Sequence, residues 1–177
     1  MIIALPDGWA VTLSVLVWLV VCLAIGRLAT SWPVERVATP GPITRLRAWE
    51  RDGGWWIRHA RVLRWKDRLP EAGAFFAGGY EKRSVRSRRT EDLARFRAET
   101  IRAERVHWSI MATSPVHLIW CRPTVAAGML AFGVVFNAPF IVIQRANRGR
   151  LERVLRRSGP RRGDGPGSPA QDHRSMP

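Results

Sequence analysis

The chain has 177 residues, room for one domain at most. It carries 29 Lys+Arg against 14 Asp+Glu, a formal net charge of +15, and Lys66 and Lys82 are the only lysines, so nearly all of the positive charge is arginine. Such a charge fits nucleic acid, an anionic membrane surface or anionic substrates; two long apolar runs decide for membrane lipid and against nucleic acid. Nine Trp against one Tyr suit a chain with much interfacial surface, because indole sits well at headgroup depth. Cys22 and Cys121 lie in or beside the apolar runs, which excludes a disulfide framework and a cysteine metal site.

In chain order, residues 1–28 form the first apolar run. Trp9 to Ile25 holds no charge, and with its flanks it reaches the roughly 20 residues needed to cross a bilayer. A secretory signal peptide would have basic residues before the run and a small-x-small site after it. Asp7 precedes it and Arg27 follows, so an uncleaved anchor is the reading here, with Arg27, Arg36, Arg45 and Arg47 on the cytoplasmic side. Trp32 to Pro42 reads as a linker, since Pro33, Pro40, Gly41 and Pro42 break any helix. Ile43 to Leu69 mixes Trp49, Trp55, Trp56 and Trp65 with basic residues that include Arg45, Arg47, Arg58, Arg61, Arg64 and Lys66, the pattern of interfacial amphipathic helices. His59 within it reads as an ordinary interfacial histidine. Glu71 to Tyr80 is a small-residue loop, with Phe75 and Phe76 able to dip into apolar surroundings, and Glu81 to Arg89 is a basic run.

Thr90 to Met111 predicts a helix of about five or six turns, with no Gly or Pro before Pro115. Thr90 can cap it, and Glu91 and Asp92 suit the positive end of its dipole. Leu93, Phe96, Thr100, Glu104, His107 and Met111 share one side, and Arg95, Ala98, Arg102 and Arg105 the other. Glu104 and His107 are three apart and can meet. A carboxylate that orients an imidazole among apolar groups is what a general base needs. Most Glu-x-x-His pairs on helices are local contacts, however, and a bundle metal site would need a second copy that the chain lacks.

Pro115 bends the chain after this helix, and Thr124 to Ile143 is a second uncharged run of spanning length. Asn137 inside it needs a partner, and Pro139 removes a backbone donor. Arg145, Arg148, Arg150, Arg153, Arg156 and Arg157 form a basic stripe, and residues 158–177, rich in Gly, Pro and Ser, read as a disordered tail. Single crossings by both runs would put the two basic segments on opposite sides, against the positive-inside rule. Two arrangements escape this. Residues 109–143 form a re-entrant hairpin broken at Arg122-Pro123, or the middle segment faces out and the C-terminus in. The fold class is thus mainly α: an integral membrane protein of the cell membrane with two apolar helices, interfacial helices and a disordered tail.

Several segments taken together resemble the glycosyl-4,4'-diaponeurosporenoate acyltransferase family of carotenoid ester synthesis. They are Trp65-Lys66-Asp67 with Leu69-Pro70; Gly73, Phe76 and Lys82; Glu99-Thr100, Ala103-Glu104 and His107-Trp108; Trp120; Asn137 with Pro139; and Gln144-Arg145, Asn147-Arg148 and Arg150-Leu151. The set runs in family order from about Trp49 to Leu151, and 43–157 becomes an acyltransferase-like membrane domain following the anchor. Two departures are Ala146, where an aromatic residue is expected, and Gly149, where proline is.

The resemblance implies an enzyme that esterifies a sugar hydroxyl of a glycosylated carotenoid acid with a fatty acyl chain. The expected partners are membrane lipid, the glycolipid acceptor and an acyl donor such as a fatty acyl thioester, with no cofactor and no metal. His107 is then the base and Glu104 its orienting carboxylate. Glu99 and Thr100 bind sugar hydroxyls; Arg145, Arg148 and Arg150, with Asn147, hold the donor's anionic part; and Asn137 donates to the oxyanion. No nucleophile motif stands beside a base, so direct transfer is expected. The rival from another class is a non-catalytic membrane anchor that holds anionic lipid or a partner through its arginines; a third reading is a metal-dependent hydrolase.

Overall fold

The computed structural model describes residue 3 and residues 5–50, 52–69 and 90–158. Among these residues all regular structure is helical. The loop at 71–80, the basic run at 81–89, Pro70, Gly73, Phe76, Lys82, the Thr90 side chain and the tail beyond Ser158 lie outside them.

Three long helices carry the fold: α1 (Asp7–Thr30), α5 (Thr90–Thr113) and α6 (Pro123–Ser158). The two apolar runs become α1 and the first part of α6. Both are long and apolar enough to cross a membrane, and only 17% and 28% of their most apolar windows are buried. The buried core helix of a water-soluble protein would be mostly covered, so these helices leave their apolar faces open. α6 runs through Pro139 without a break and continues as the basic stripe.

α5 ends where it does because Pro115 has no N–H to give the carbonyl four residues back. The chain tightens into a 3₁₀ helix (Ser114–Ile119) and turns into α6, whose first residue is Pro123. The start of α1 meets this turn. Ile3 N donates to Ile119 O at 3.0 Å, Asp7 pairs with Arg122, and Ala10 packs with Trp120, Cys121 and Ala126. The far end of α1 meets the middle of α5, where Arg102 Nη2 donates to Trp32 O at 2.8 Å. Along α6, Asn137 faces His107, Arg148 faces Glu104 and Glu152 faces Arg97. α1 and α6 are therefore parallel to each other and antiparallel to α5.

The arms of the hairpin match in length. From His107 to Thr113 α5 climbs about 9 Å, and six 3₁₀ residues add about 12 Å. From Asn137 back to Pro123, α6 climbs about 21 Å. Residues 109–143 thus form a hairpin that turns at Arg122-Pro123, and residues 43–50 meet the arginine stripe at its other end. Arg27, Arg36 and the stripe from Arg145 to Arg157 gather at one end, and the other end carries the Asp7–Arg122 pair.

Two expectations change. Arginines of α5 hold the segment that follows α1. Arg97, Arg102 and Arg105 donate to the carbonyls of Ala38, Trp32, Arg36 and Thr39. These are the carbonyls that helix ends leave unpaired. The supposed linker accordingly folds into α2 (Val34–Ala38), with Val37 buried. Residues 43–69, expected as interfacial helices, break into short pieces: a 3₁₀ turn (Ala48–Glu50), α3 (Gly54–Arg58), α4 (Val62–Trp65) and a 3₁₀ turn (Lys66–Arg68). Left-handed residues at Asp52 (φ 55°), Gly53 (φ 80°) and Arg61 (φ 47°) make the breaks. Trp56, Ile57, Trp65 and Leu69 then pack with Val62 over Ile143 and Ala146 of α6. The Asp52–Gly53 turn rests on α6 so closely that a Cβ on Gly149 would lie 2.1 Å from the Asp52 carbonyl carbon. A Cβ on Gly53 would lie 2.7 Å from Ala146 O. Ala146 and Gly149, the two departures from the family pattern, are thus the small residues that receive this turn.

Candidate active site

Glu104 is fully buried on α5, and it faces two arginines of α6. Arg145 Nη1 donates to Oε1 at 2.6 Å and Arg148 Nη1 to Oε2 at 2.5 Å. Arg145 also grips Glu50 side-on, Nε to Oε1 at 2.7 Å and Nη2 to Oε2 at 2.6 Å. Trp56 Nε1 and the Arg47 N–H complete the Glu50 carboxylate. Other guanidinium donors hold the backbone between α2 and Glu50: Arg145 bonds the carbonyls of Ile43 and Arg45, and Arg148 that of Thr44, while Arg148 Nε is buried with no hydrogen-bond partner among the described residues. The four side chains balance two negative charges against two positive ones, all buried. A buried pair persists only when geometry and extra hydrogen bonds offset desolvation, as they do here. Burial works against the Glu50 carboxylate, yet Arg145, the Arg47 N–H and Trp56 hold its pKa below the ordinary value.

His107 lies one turn further toward the apolar end and does not join this network. Its Nδ1 lies 2.9 Å from Asn137 Oδ1, and its ring stacks on Phe140 at 4.7 Å and 7°. Asn137 is itself buried, and its Nδ2 donates to Gly133 O at 2.9 Å. That bond decides the amide orientation, because only the NH₂ group can donate to a carbonyl. Oδ1 therefore faces the imidazole and accepts, so Nδ1 carries the proton and Nε2 has the free lone pair. Burial lowers the His107 pKa, and the Asn137 bond offsets part of that. The neutral, base-competent form prevails at pH 7.

This corrects the expected pairing of Glu104 with His107. Both Glu104 oxygens are taken by guanidiniums, with Trp108 Nε1 adding a 3.3 Å bond, and the imidazole is oriented by Asn137 instead. Asn137 commits its Oδ1 to the imidazole and one of its two Nδ2 hydrogens to Gly133 O. Glu99 is chelated by Arg102, both oxygens at 2.9 Å, and burial raises its pKa against the pull of Arg102 and Arg95. Thr100 is buried and bonds Arg97 O. Arg145 and Arg148 are buried in the quartet, whereas Asn147 is half-buried and Arg150 exposed. Glu50 was not singled out in the sequence. Its signal is a carboxylate amid arginines and tryptophans, opposite two arginines that directly follow an apolar run.

The family model described as glycosyl-4,4'-diaponeurosporenoate acyltransferase matches residues 42–157, which hold the quartet, His107 and Asn137. The chain belongs to this acyltransferase family. Proteins named glycosyl-4,4'-diaponeurosporenoate acyltransferase from Staphylococcus aureus strains Newman and USA300 are 28% identical to it over 148 residues. The match covers 81% of this chain and 88% of theirs. No solved structure matches. The matched region leaves out α1, yet α1 packs on the family's hairpin through Ala10, Ser14 and Trp18, and Trp120 Nε1 donates to Ser14 Oγ at 3.0 Å. Membership in an acyltransferase family supports an enzyme and gives the non-catalytic anchor no support.

Proposed function

We propose that the chain resides in a membrane and transfers a fatty acyl group to a sugar hydroxyl of a glycosylated carotenoid acid, with His107 as general base. α1 and the apolar part of α6 cross the bilayer in parallel, with the arginine-rich end on the cytoplasmic side. One observation carries the reading: the Gly133–Asn137–His107 hydrogen-bond chain presents an unprotonated Nε2 between apolar helices and the ionic quartet. Nε2 takes the hydroxyl proton as the sugar oxygen attacks the acyl carbonyl carbon. The new C–O ester bond forms, the bond to the donor's leaving group breaks, and the imidazolium returns the proton to that group, a thiolate for a thioester donor. Asn137 is a positioning residue: it keeps Nδ1 protonated and stabilises the imidazolium through the same bond. The quartet holds residues 43–50 against α6 next to the turn of α5 that carries the imidazole. Arg150 and Asn147 are left to meet the donor's anionic part, since Arg145 and Arg148 are held within the protein.

The test is acyl transfer on membranes that carry the wild-type protein or His107→Ala at equal protein level. Loss of ester product in the variant supports the reading, and full activity removes it. Lipid mass analysis of cells with and without the gene identifies the acceptor by its gain of one fatty-acyl mass.

A further inference from the structure

α6 carries three phenylalanines, and they stand in single file at i, i+4 and i+8. Phe132 and Phe136 stack at 5.5 Å, Phe136 and Phe140 meet at 6.2 Å, and Phe140 stacks on the His107 imidazole. At the other end Phe132 meets the Trp18 ring of α1 edge-on at 5.8 Å. Phe132 is 49% and Phe136 53% exposed, so the outer face of this ridge is uncovered.

Ordinary lipid-facing packing does not explain the pattern. Aromatic residues that anchor a helix in a bilayer gather at its two interfaces, whereas this file runs along the helix axis through the middle of an apolar run. The other exposed apolar positions on the two helices are largely aliphatic: Val11, Leu16, Leu19 and Leu23 on α1, Val134 and Val135 on α6. A saturated chain gains no more from a phenyl face than from leucine. A flat, conjugated chain gains stacking on every ring it crosses. The file also points the right way. It begins at the proposed base and runs about 12 Å along α6 away from the arginines, toward the apolar end.

Resting on the functional reading above, we infer that the ridge Phe132–Phe136–Phe140 seats the conjugated chain of the glycosylated acceptor, so that its sugar falls at His107. The acceptor's rigid chain lies along the rings, and the saturated chain of the donor packs elsewhere. The ridge makes the enzyme prefer a conjugated over a saturated acceptor tail.

The experiment uses the full chain in phospholipid vesicles and the double variant Phe132→Leu/Phe136→Leu, which keeps an apolar, helix-forming surface. Two acceptors are compared: a glucosyl ester of a conjugated carotenoid acid and a glucosyl ester of a saturated fatty acid. KM for the conjugated acceptor should rise about tenfold, the loss of two ring contacts, with kcat and the saturated acceptor's KM unchanged. Equal changes for both acceptors, or no change for either, overturn the ridge as a subsite. Binding is read separately as quenching of tryptophan emission by the conjugated ester. The double variant should need about tenfold more ester for half-quenching, and an unshifted curve overturns the inference even if neither acceptor is acylated. Shifted quenching with no acylation by the wild type keeps the ridge and removes the acyl-transfer reading.

Discussion

Glu104→Gln separates a structural carboxylate from a catalytic one. In the wild type Glu104 neutralises Arg145 and Arg148 together, at 2.6 and 2.5 Å, while Glu50 balances the other half of Arg145. Glutamine keeps the shape but leaves two guanidiniums against one carboxylate, a net buried charge of one, and turns an NH₂ group toward one of them. Breaking a buried pair in this way costs about 3–5 kcal/mol. For a chain of this size each kcal/mol lowers Tm by roughly 2–4 °C, so a drop of about 10 °C is expected. The measurement is thermal unfolding in detergent, with acyl transfer assayed well below the lowered Tm. The variant should then retain most of its kcat. The paired variant Glu104→Leu/Arg148→Leu removes one charge of each sign, and should be more stable than Glu104→Leu alone. If Glu104→Gln melts like the wild type but has lost turnover, Glu104 acts in the chemistry and the reasoning is wrong.

The pH dependence follows from the same geometry. Because burial depresses the His107 pKa below 6.5, kcat/KM should rise with pH through a single ionisation below that value and stay flat above it. The stability tied to neutral His107 is likewise complete above 6.5 and lost as pH falls through the lowered folded value. A limb centred above 6.5 would contradict the assignment. Asn137→Ala removes the bond that partly restores the His107 pKa, so the limb should move to still lower pH, with kcat down about tenfold to a hundredfold and KM little changed; an unmoved limb would deny Asn137 its positioning role. Gly149→Ala drives a Cβ into the Asp52 backbone and should cost about 1–3 kcal/mol, read as a lower Tm; wild-type stability would show that the turn does not rest there.

The long elements were legible because their signals are local. Two uncharged runs gave α1 and the first part of α6, and a Gly- and Pro-free stretch gave α5. Pro115 marked its end, and a lone Asn in an apolar run announced that it needed a partner. What lay beyond reach depends on contacts distant in sequence. The 43–69 segment has the composition of amphipathic helices, but left-handed turns at Asp52, Gly53 and Arg61 fold it over α6. Non-glycine residues with positive φ leave no mark in a propensity pattern. The parallel course of α1 and α6 is equally invisible in charge counts, which is why two topologies stayed open. The small residues at 146 and 149, read as departures from a family pattern, prove to be where a distant turn lands.

The Glu104–His107 expectation shows how a sound local rule yields to a stronger long-range one. Spacing of three does bring two helix side chains within reach. It says nothing of competitors. A buried carboxylate offered a neutral imidazole on its own helix or two guanidiniums on the next takes the guanidiniums, because charge-assisted bonds are roughly twice as strong as neutral ones. The imidazole, released from the carboxylate, then needs a neutral acceptor, and Asn137 is the polar side chain that α6 places opposite it. A neutral acceptor raises the imidazole pKa less than a carboxylate would, so burial prevails and His107 stays unprotonated at neutral pH with its Nε2 lone pair available. The quartet and the base are in this sense one design: by taking Glu104 for structure, the arginines leave the histidine uncharged at the apolar boundary.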